Sequence, residues 1–427
     1  MLKLILKYLL YLCAFASFIM LLPGSILLDI KPKAFFHPLP KTLTGALQPN
    51  ERLSSTEKLF EDTLLGPESL AVFNGNAVTG SADGFIYQID GHLKLKPLIK
   101  LVEKSCALNP HNASRCGRPL GLQFDSKGTL YVVEPSIGVF AIEEIFKRPK
   151  PRLVFDIEQT SVLGKSSKFL DDLTIDEGSG LNGGHVLYIS DVSDKFELFQ
   201  CGLIIAGSEM GRLIKYDINA KKVESIAENL LFPNGVQITD DRNAILVNEF
   251  VSRQVVKAYI KGPKKGETEV IVKHLPGEPD NIRRSASKKE TYWLALFSGR
   301  TTARQNELDY YLKKPLLRKL VCRLFHMFGS GIEYMGNLFR VSMIAEFGYD
   351  LKNGKQIFEY IFDNNSEDYA MIVEIDVNGE IVDSLQASDR SLTRLSEVRE
   401  VRINENETVL YLGSYINDYL GKLVLKR

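Results

Sequence analysis

Four short stretches of this chain crowd prolines, glycines and oxygen-bearing side chains together. They are Gly66-Pro67-Glu68-Ser69-Leu70, Phe169-Leu170-Asp171-Asp172-Leu173, Phe232-Pro233-Asn234-Gly235-Val236 and Leu275-Pro276-Gly277-Glu278-Pro279-Asp280-Asn281-Ile282-Arg283. Proline fixes φ and glycine opens conformations closed to other residues, so the backbone leaves regular geometry at each knot. Carboxylates and amide carbonyls gathered at such points are hard oxygen donors, the ligand chemistry of Ca²⁺. A lone Pro-Asn-Gly is ordinarily only a turn. Four knots, each leading into an inner strand, make a shared centre the expectation. Other chemistries lack their signatures, since the chain has no G-x-S-x-G elbow, no H-E-x-x-H and no P-loop. His185, in a Gly-Gly-His turn, and His274, just before the last knot, read as surface residues, with His274 the nearer to a candidate base.

The elements that must hold these knots are short strands. Asp83-Gly84-Phe85-Ile86-Tyr87-Gln88-Ile89-Asp90 alternates with period two, and Gly128-Thr129-Leu130-Tyr131-Val132-Val133 and Gly211-Arg212-Leu213-Ile214-Lys215-Tyr216-Asp217 repeat the form. The knots recur roughly 45–60 residues apart, with a last unit near Glu397, which is the spacing of four-stranded blades closed into a ring. The expected fold is all-β, a six-bladed β-propeller over residues 59–427. A basic amphipathic helical insertion is expected at about 303–340, where Lys313, Lys314, Arg318, Lys319 and Arg323 alternate with leucines. It reads as a helix packed on the propeller, with a lid or a membrane-surface contact as the sharper alternative. Residues 348–370 read as a polar loop.

The N-terminus bears on compartment. Residues 1–7 form a short basic end, and Tyr8 to Leu28 carries no charge, long enough to cross a bilayer. The expectation is a transmembrane signal anchor over 8–28, a stalk over 29–58, and a single-pass type II protein whose propeller is lumenal or extracellular. A cleaved signal peptide is the plainer alternative. Sequons at Asn112, Asn364 and Asn406 agree with export. Cys106 and Cys116 close a short polar loop, as a disulfide if exported and as a free pair otherwise. Over 427 residues the 53 basic and 53 acidic side chains balance, so bulk charge does not point to nucleic acid.

The motifs Cys116-Gly117-Arg118-Pro119-Leu120-Gly121-Leu122, Phe232-Pro233-Asn234-Gly235-Val236-Gln237 and Pro276-Gly277-Glu278-Pro279-Asp280-Asn281-Ile282-Arg283 resemble those of the strictosidine synthase-like family. The likeness covers about residues 60 to 427. It implies a propeller of the superfamily of paraoxonases and gluconolactonases, with Ca²⁺ on the ring axis. Matched motif by motif, it implies Glu68, Asp171, Asn234, Asp280 and Asn281 as metal ligands, Asp171 standing where relatives carry Asn. The implied activity is arylesterase-like, a Ca²⁺-dependent hydrolase acting on a small hydrophobic ester or lactone. Two departures bear on this. Leu120 occupies the position of the paraoxonase-type histidine, which leaves the catalytic base unassigned. The late glutamate on which alkaloid synthesis depends is not fixed within Thr393-Arg394-Leu395-Ser396-Glu397. The alternative is a non-catalytic binding or receptor module in which Ca²⁺ only joins the blades.

Overall fold

The structure is a computed structural model that describes residues 2–38, 42–102, 117–301, 307–363 and 369–426. The chain divides into two compact units. One comprises residues 38–198, 210–305 and 365–427, and the other residues 1–37, 199–209 and 306–364.

The larger unit contains six four-stranded antiparallel sheets. Blades one to five each follow chain order outward from an inner strand. The inner strands are Leu70–Phe73, Leu122–Phe124, Phe169–Asp176, Pro233–Ile238 and Gly277–Arg284. Blade six starts at Glu397–Arg402 and takes its outermost strand, Glu57–Leu59, from the start of the propeller. Each inner strand contacts the next, and the last contacts the first, so the ring is closed. Among the described residues, the apolar core lies in six clusters, each filling the gap between two neighbouring sheets. Tyr131 and Val133 of blade two, for example, pack on Leu187 and Ile214 of blade three. Period-two alternation explains this, because a sheet sandwiched between two others buries both faces.

The aspartates that end many strands have a distinct task. Asp90, Asp125 and Asp376 each accept backbone N–H groups two and four residues on through Oδ1, at 2.8–2.9 Å. These side chains satisfy donors that a tight turn would otherwise leave open.

The expected stalk is divided between the two units. Leu53 is fully buried in the core between blades five and six, and its N–H donates to the Gln386 carbonyl at 2.9 Å. Arg52 pairs with Asp383 at 2.6 Å. The proline-rich composition concealed a segment that packs along blade five.

The second unit is helical: α1 (Leu2–Leu21), α2 (Cys201–Gly207), α3 (Glu307–Leu312), α4 (Pro315–Leu338), α5 (Ser342–Lys352) and α6 (Lys355–Asp363). The apolar run over 8–28 is not one helix. It ends at Leu21, where Pro23 and Gly24 prevent continuation. Among the described residues no helix is long and apolar enough to cross a membrane. The insertion is longer than expected, and residues 348–363, expected as loop, are largely helical in α5 and α6. Arg318 and Arg323 do not lie on a solvated basic face. Arg318 donates to the Ala206 carbonyl at 2.8 Å and the Leu312 carbonyl at 3.1 Å. Arg323 donates to the carbonyls of Ile19, Met20, Leu22 and Leu28 at 2.7–3.2 Å, satisfying the open C-terminal end of α1.

Candidate metal centre

Each knot on an inner strand is a break in pairing register. The shifts fall between Leu170 and Leu173, between Pro233 and Val236, and between Pro279 and Ile282. A bulge re-aims the side chains within it. Asp171, Asn234, Asp280 and Asn281 all lie inside these bulges, and Glu68 stands two residues before the inner strand of blade one. Gly235 is required by close approach, since a Cβ there would lie 2.5 Å from the Ile282 backbone nitrogen.

All five side chains are buried. The Asn281 amide donates to Glu68 Oε1 at 2.6 Å, and Asn234 stands beside the Asp280 carboxylate and favours its charged form. The Asn248 amide holds the Asp280 carbonyl at 2.6 Å. Glu68, Asp171 and Asp280 each disfavour the charge of another. Burial raises each carboxyl well above its ordinary value, and each is raised further by a neighbour: Glu68 by Asp171, Asp171 by Asp280 and Asp280 by Glu68. Three oxygens here, Glu68 Oε2, Asn234 Oδ1 and Asn281 Oδ1, are buried with no hydrogen-bond partner. Among the described residues no three His, Cys, Asp or Glu side chains by themselves close tightly enough to hold a metal ion. Two members of this set are amides.

A second polar layer adjoins the first. Arg283, on blade five, donates to Asp172 of blade three at 2.5 and 3.1 Å and to Glu397 of blade six at 3.0–3.1 Å. It also donates to Ser69 Oγ of blade one at 3.1 Å. Burial opposes its charge, but Asp172 and Glu397 outweigh that and hold its pKa above the ordinary arginine value. Asp172 also accepts the Val236 N–H of blade four at 2.9 Å, so Arg283 and Asp172 together tie five blades across the axis. Gly121 admits this carboxylate, because a Cβ there would lie 2.5 Å from Asp172 Oδ1.

Sequence reasoning missed this layer. Arg283 closed the quoted knot and Asp172 stood beside Asp171, but neither was given a role. The signal was an arginine on a strand otherwise read as facing the axis, where only carboxylate partners make it tolerable. Glu397 engages Arg283 through both oxygens. Glu278 is drawn aside into a fully buried pair with Arg253 at 2.5 Å. His185 lies 3.3 Å from Asp125, between blades two and three. Leu120 is buried. Asn406 is exposed in a bend between the first two strands of blade six. Cys106, Cys116, Asn112 and Asn364 lie outside the described residues.

Comparison with known proteins agrees with the architecture. The family model described as Strictosidine synthase matches residues 171–263, and that described as Strictosidine synthase-like, N-terminal, matches residues 45–89. The chain is 30% identical to adipocyte plasma membrane-associated protein of Bos taurus, over 97% of this chain and 90% of that protein. It is 29% identical to the protein of the same name from Danio rerio, over 93% and 85%. Among solved structures, the gluconolactonase XC5397 of Xanthomonas campestris aligns with 93% of this chain and 99% of its own at a TM-score of 0.51 and 10% identity. A luciferin-regenerating enzyme aligns with 88% and 94% at a TM-score of 0.50 and 12% identity. At these identities the two structures speak to the fold alone. With relatives matched over nearly its whole length, the chain belongs to the strictosidine synthase-like family, among the adipocyte plasma membrane-associated proteins.

Proposed function

We propose that this chain is a membrane-anchored, Ca²⁺-dependent hydrolase with arylesterase-like activity on aryl esters or lactones. Glu68, Asp171, Asn234, Asp280 and Asn281 would hold the ion. The observation that carries the reading is the set of unpartnered buried oxygens on Glu68, Asn234 and Asn281, beside carboxyls of Glu68, Asp171 and Asp280 that burial and one another's charge hold well above the ordinary value. Buried acceptors without partners are costly, and a hard cation relieves both the open lone pairs and the repulsion. When bound, Ca²⁺ supplies a Lewis acid that polarises a substrate carbonyl. The chain's own residues supply the frame. Arg283 holds Asp172 and Glu397 fixed and keeps both engaged, which leaves Glu397 unsuited to act as a base. Phe169, Phe232, Phe250 and Phe297 contact one another in series at 5.3–6.0 Å between ring centres, a buried apolar row that begins in two of the knots.

The anchor in this reading is the uncharged run over residues 8–28, which begins within α1, with Lys3 and Lys7 toward the cytosol and the propeller on the lumenal or extracellular side. The uncharged run after Lys7 and the membrane association in the relatives' name support it. One observation favours the second reading, a binding module with structural Ca²⁺. The position of the paraoxonase-type histidine is Leu120, buried and without acid–base capacity. The experiment is hydrolysis of phenyl acetate by the purified full chain, with and without chelator, beside Asn234→Ala and Asp280→Ala. The hydrolase reading expects activity lost on chelation and in both variants. Chelation that lowers thermal stability, with no hydrolysis under any condition, would establish the structural role instead.

A further inference from the structure

The hairpin formed by α4 and α5 is built inside out. Where the two helices meet, glycines make the contact. A Cβ on Gly329 would lie 2.4 Å from the Lys352 nitrogen, one on Gly336 would lie 2.3 Å from the Ala345 nitrogen, and one on Gly348 would lie 2.2 Å from the Glu333 nitrogen. The buried residues of α4 are Arg318, Cys322, Arg323, Gly329 and Gly336, and α5 buries only Gly348. The large apolar side chains point the other way. Tyr334 is 66% exposed, Leu338 57%, Phe339 67%, Met343 75% and Phe347 53%. A water-soluble hairpin places leucine and phenylalanine between its helices and polar groups outside. Small residues at the contact and large apolar residues outside is the arrangement of helices surrounded by lipid.

The charge pattern gives the hairpin a direction. From Tyr334 to Ala345 there is no acidic residue, and Arg340 is the one charged side chain. Charges resume on either side of this stretch at Glu333 and Glu346, and Glu333 pairs with Lys352 at the open end of the hairpin. The turn end is therefore apolar with aromatic residues and a single arginine, the composition of a segment that enters the headgroup–acyl boundary. The hairpin is also tied to α1. Arg323 binds four carbonyls at and beyond the C-terminal end of that helix. Leu12, Phe15, Phe18 and Leu21 of α1 are exposed as well. A second copy of the chain would require a matching apolar recess, whereas lipid requires only a protruding apolar tip.

We propose that the α4–α5 turn, residues 334–345, is a second membrane contact that dips into the outer leaflet beside the α1 anchor. The inference rests on the reading of α1 as the anchor, so the test separates the two. Trp293 is the only tryptophan of the chain and is buried, which makes it a constant background. Phe339→Trp reports the turn and Leu12→Trp reports α1, and both replaced residues are exposed, so folding is not at stake. The full chain is reconstituted into phosphatidylcholine vesicles whose acyl chains are brominated, and emission is compared with unbrominated vesicles and with aqueous iodide. The expected result is that F339W loses most of its added emission to brominated lipid and is shielded from iodide. F339W quenched by iodide and untouched by brominated lipid overturns the proposal, and so does shielding from both quenchers, which would mean a protein partner or second copy. L12W unquenched by lipid while F339W is quenched would overturn the anchor reading and leave the hairpin contact standing.

Discussion

Arg283 spends its charge entirely on the frame of the ring. Removing it leaves Asp172 buried without a counter-charge and Glu397 with only Arg399, 3.6 Å away, so Arg283→Met is expected to cost about 3–5 kcal/mol of stability. Urea denaturation of the full chain measures this, and a change under 1 kcal/mol (about the value of an exposed pair) would show that the axis tolerates unpaired carboxylates. A separate group sets a pH dependence. Burial lifts the Glu134 carboxyl to about 8, against the hydrogen bond it accepts from the Arg118 N–H. The folded protein therefore keeps Glu134 protonated where the unfolded chain has ionised it. Its stabilising contribution is complete below pH 4.5 and is lost as pH rises toward 8. Glu134→Gln is expected to flatten that loss, read as the urea midpoint across the same window. At this scale the sequence was informative about oxygen donors and silent about partners. Asp280 and Asn281 announced themselves by type, whereas Arg283 and Glu397, 114 residues apart, are paired only by ring closure.

At the scale of elements, the strands were legible as short runs of apolar and β-branched residues bounded by Gly and Asp turn signals. The segment before them was not. Residues 50–53 look like stalk by composition, yet Asn50, Arg52 and Leu53 bond to the outer strand of blade five. Leu53→Ala is expected to cost about 2–5 kcal/mol, the range for an aliphatic core truncation. A true stalk would give no change in the thermal midpoint. The helical insertion was legible as helix from its leucine spacing. Its partners were not, because Arg318 and Arg323 satisfy carbonyls of residues far away in sequence, and a basic side chain in a helical pattern reads by default as solvated. Gly329, Gly336 and Gly348 carried a signal that composition alone discounts, since glycine within a helix ordinarily marks weakness and here marks close backbone contact.

At the scale of the molecule, a ring of six sheets has no covalent closure among the described residues. The last blade is completed by Glu57–Leu59, and the axis is held by side chains from opposing blades. An ion bound by groups from blades one, three, four and five would join the ring at its centre, so its removal must be felt by the whole fold. Free Ca²⁺ at about 100 times its dissociation constant adds ~2.7 kcal/mol of stability by mass action. Ca²⁺ is therefore expected to raise the thermal midpoint of the wild type and to leave that of Asp280→Ala unchanged. The most direct measurement is calorimetric titration of Ca²⁺ into the chelator-stripped full chain, wild type beside Asn234→Ala and Asp280→Ala. The account predicts saturable binding of a single ion by the wild type and its loss in both variants. Absence of binding by the wild type, or binding that both variants retain, would contradict a metal centre at Glu68, Asp171, Asn234, Asp280 and Asn281.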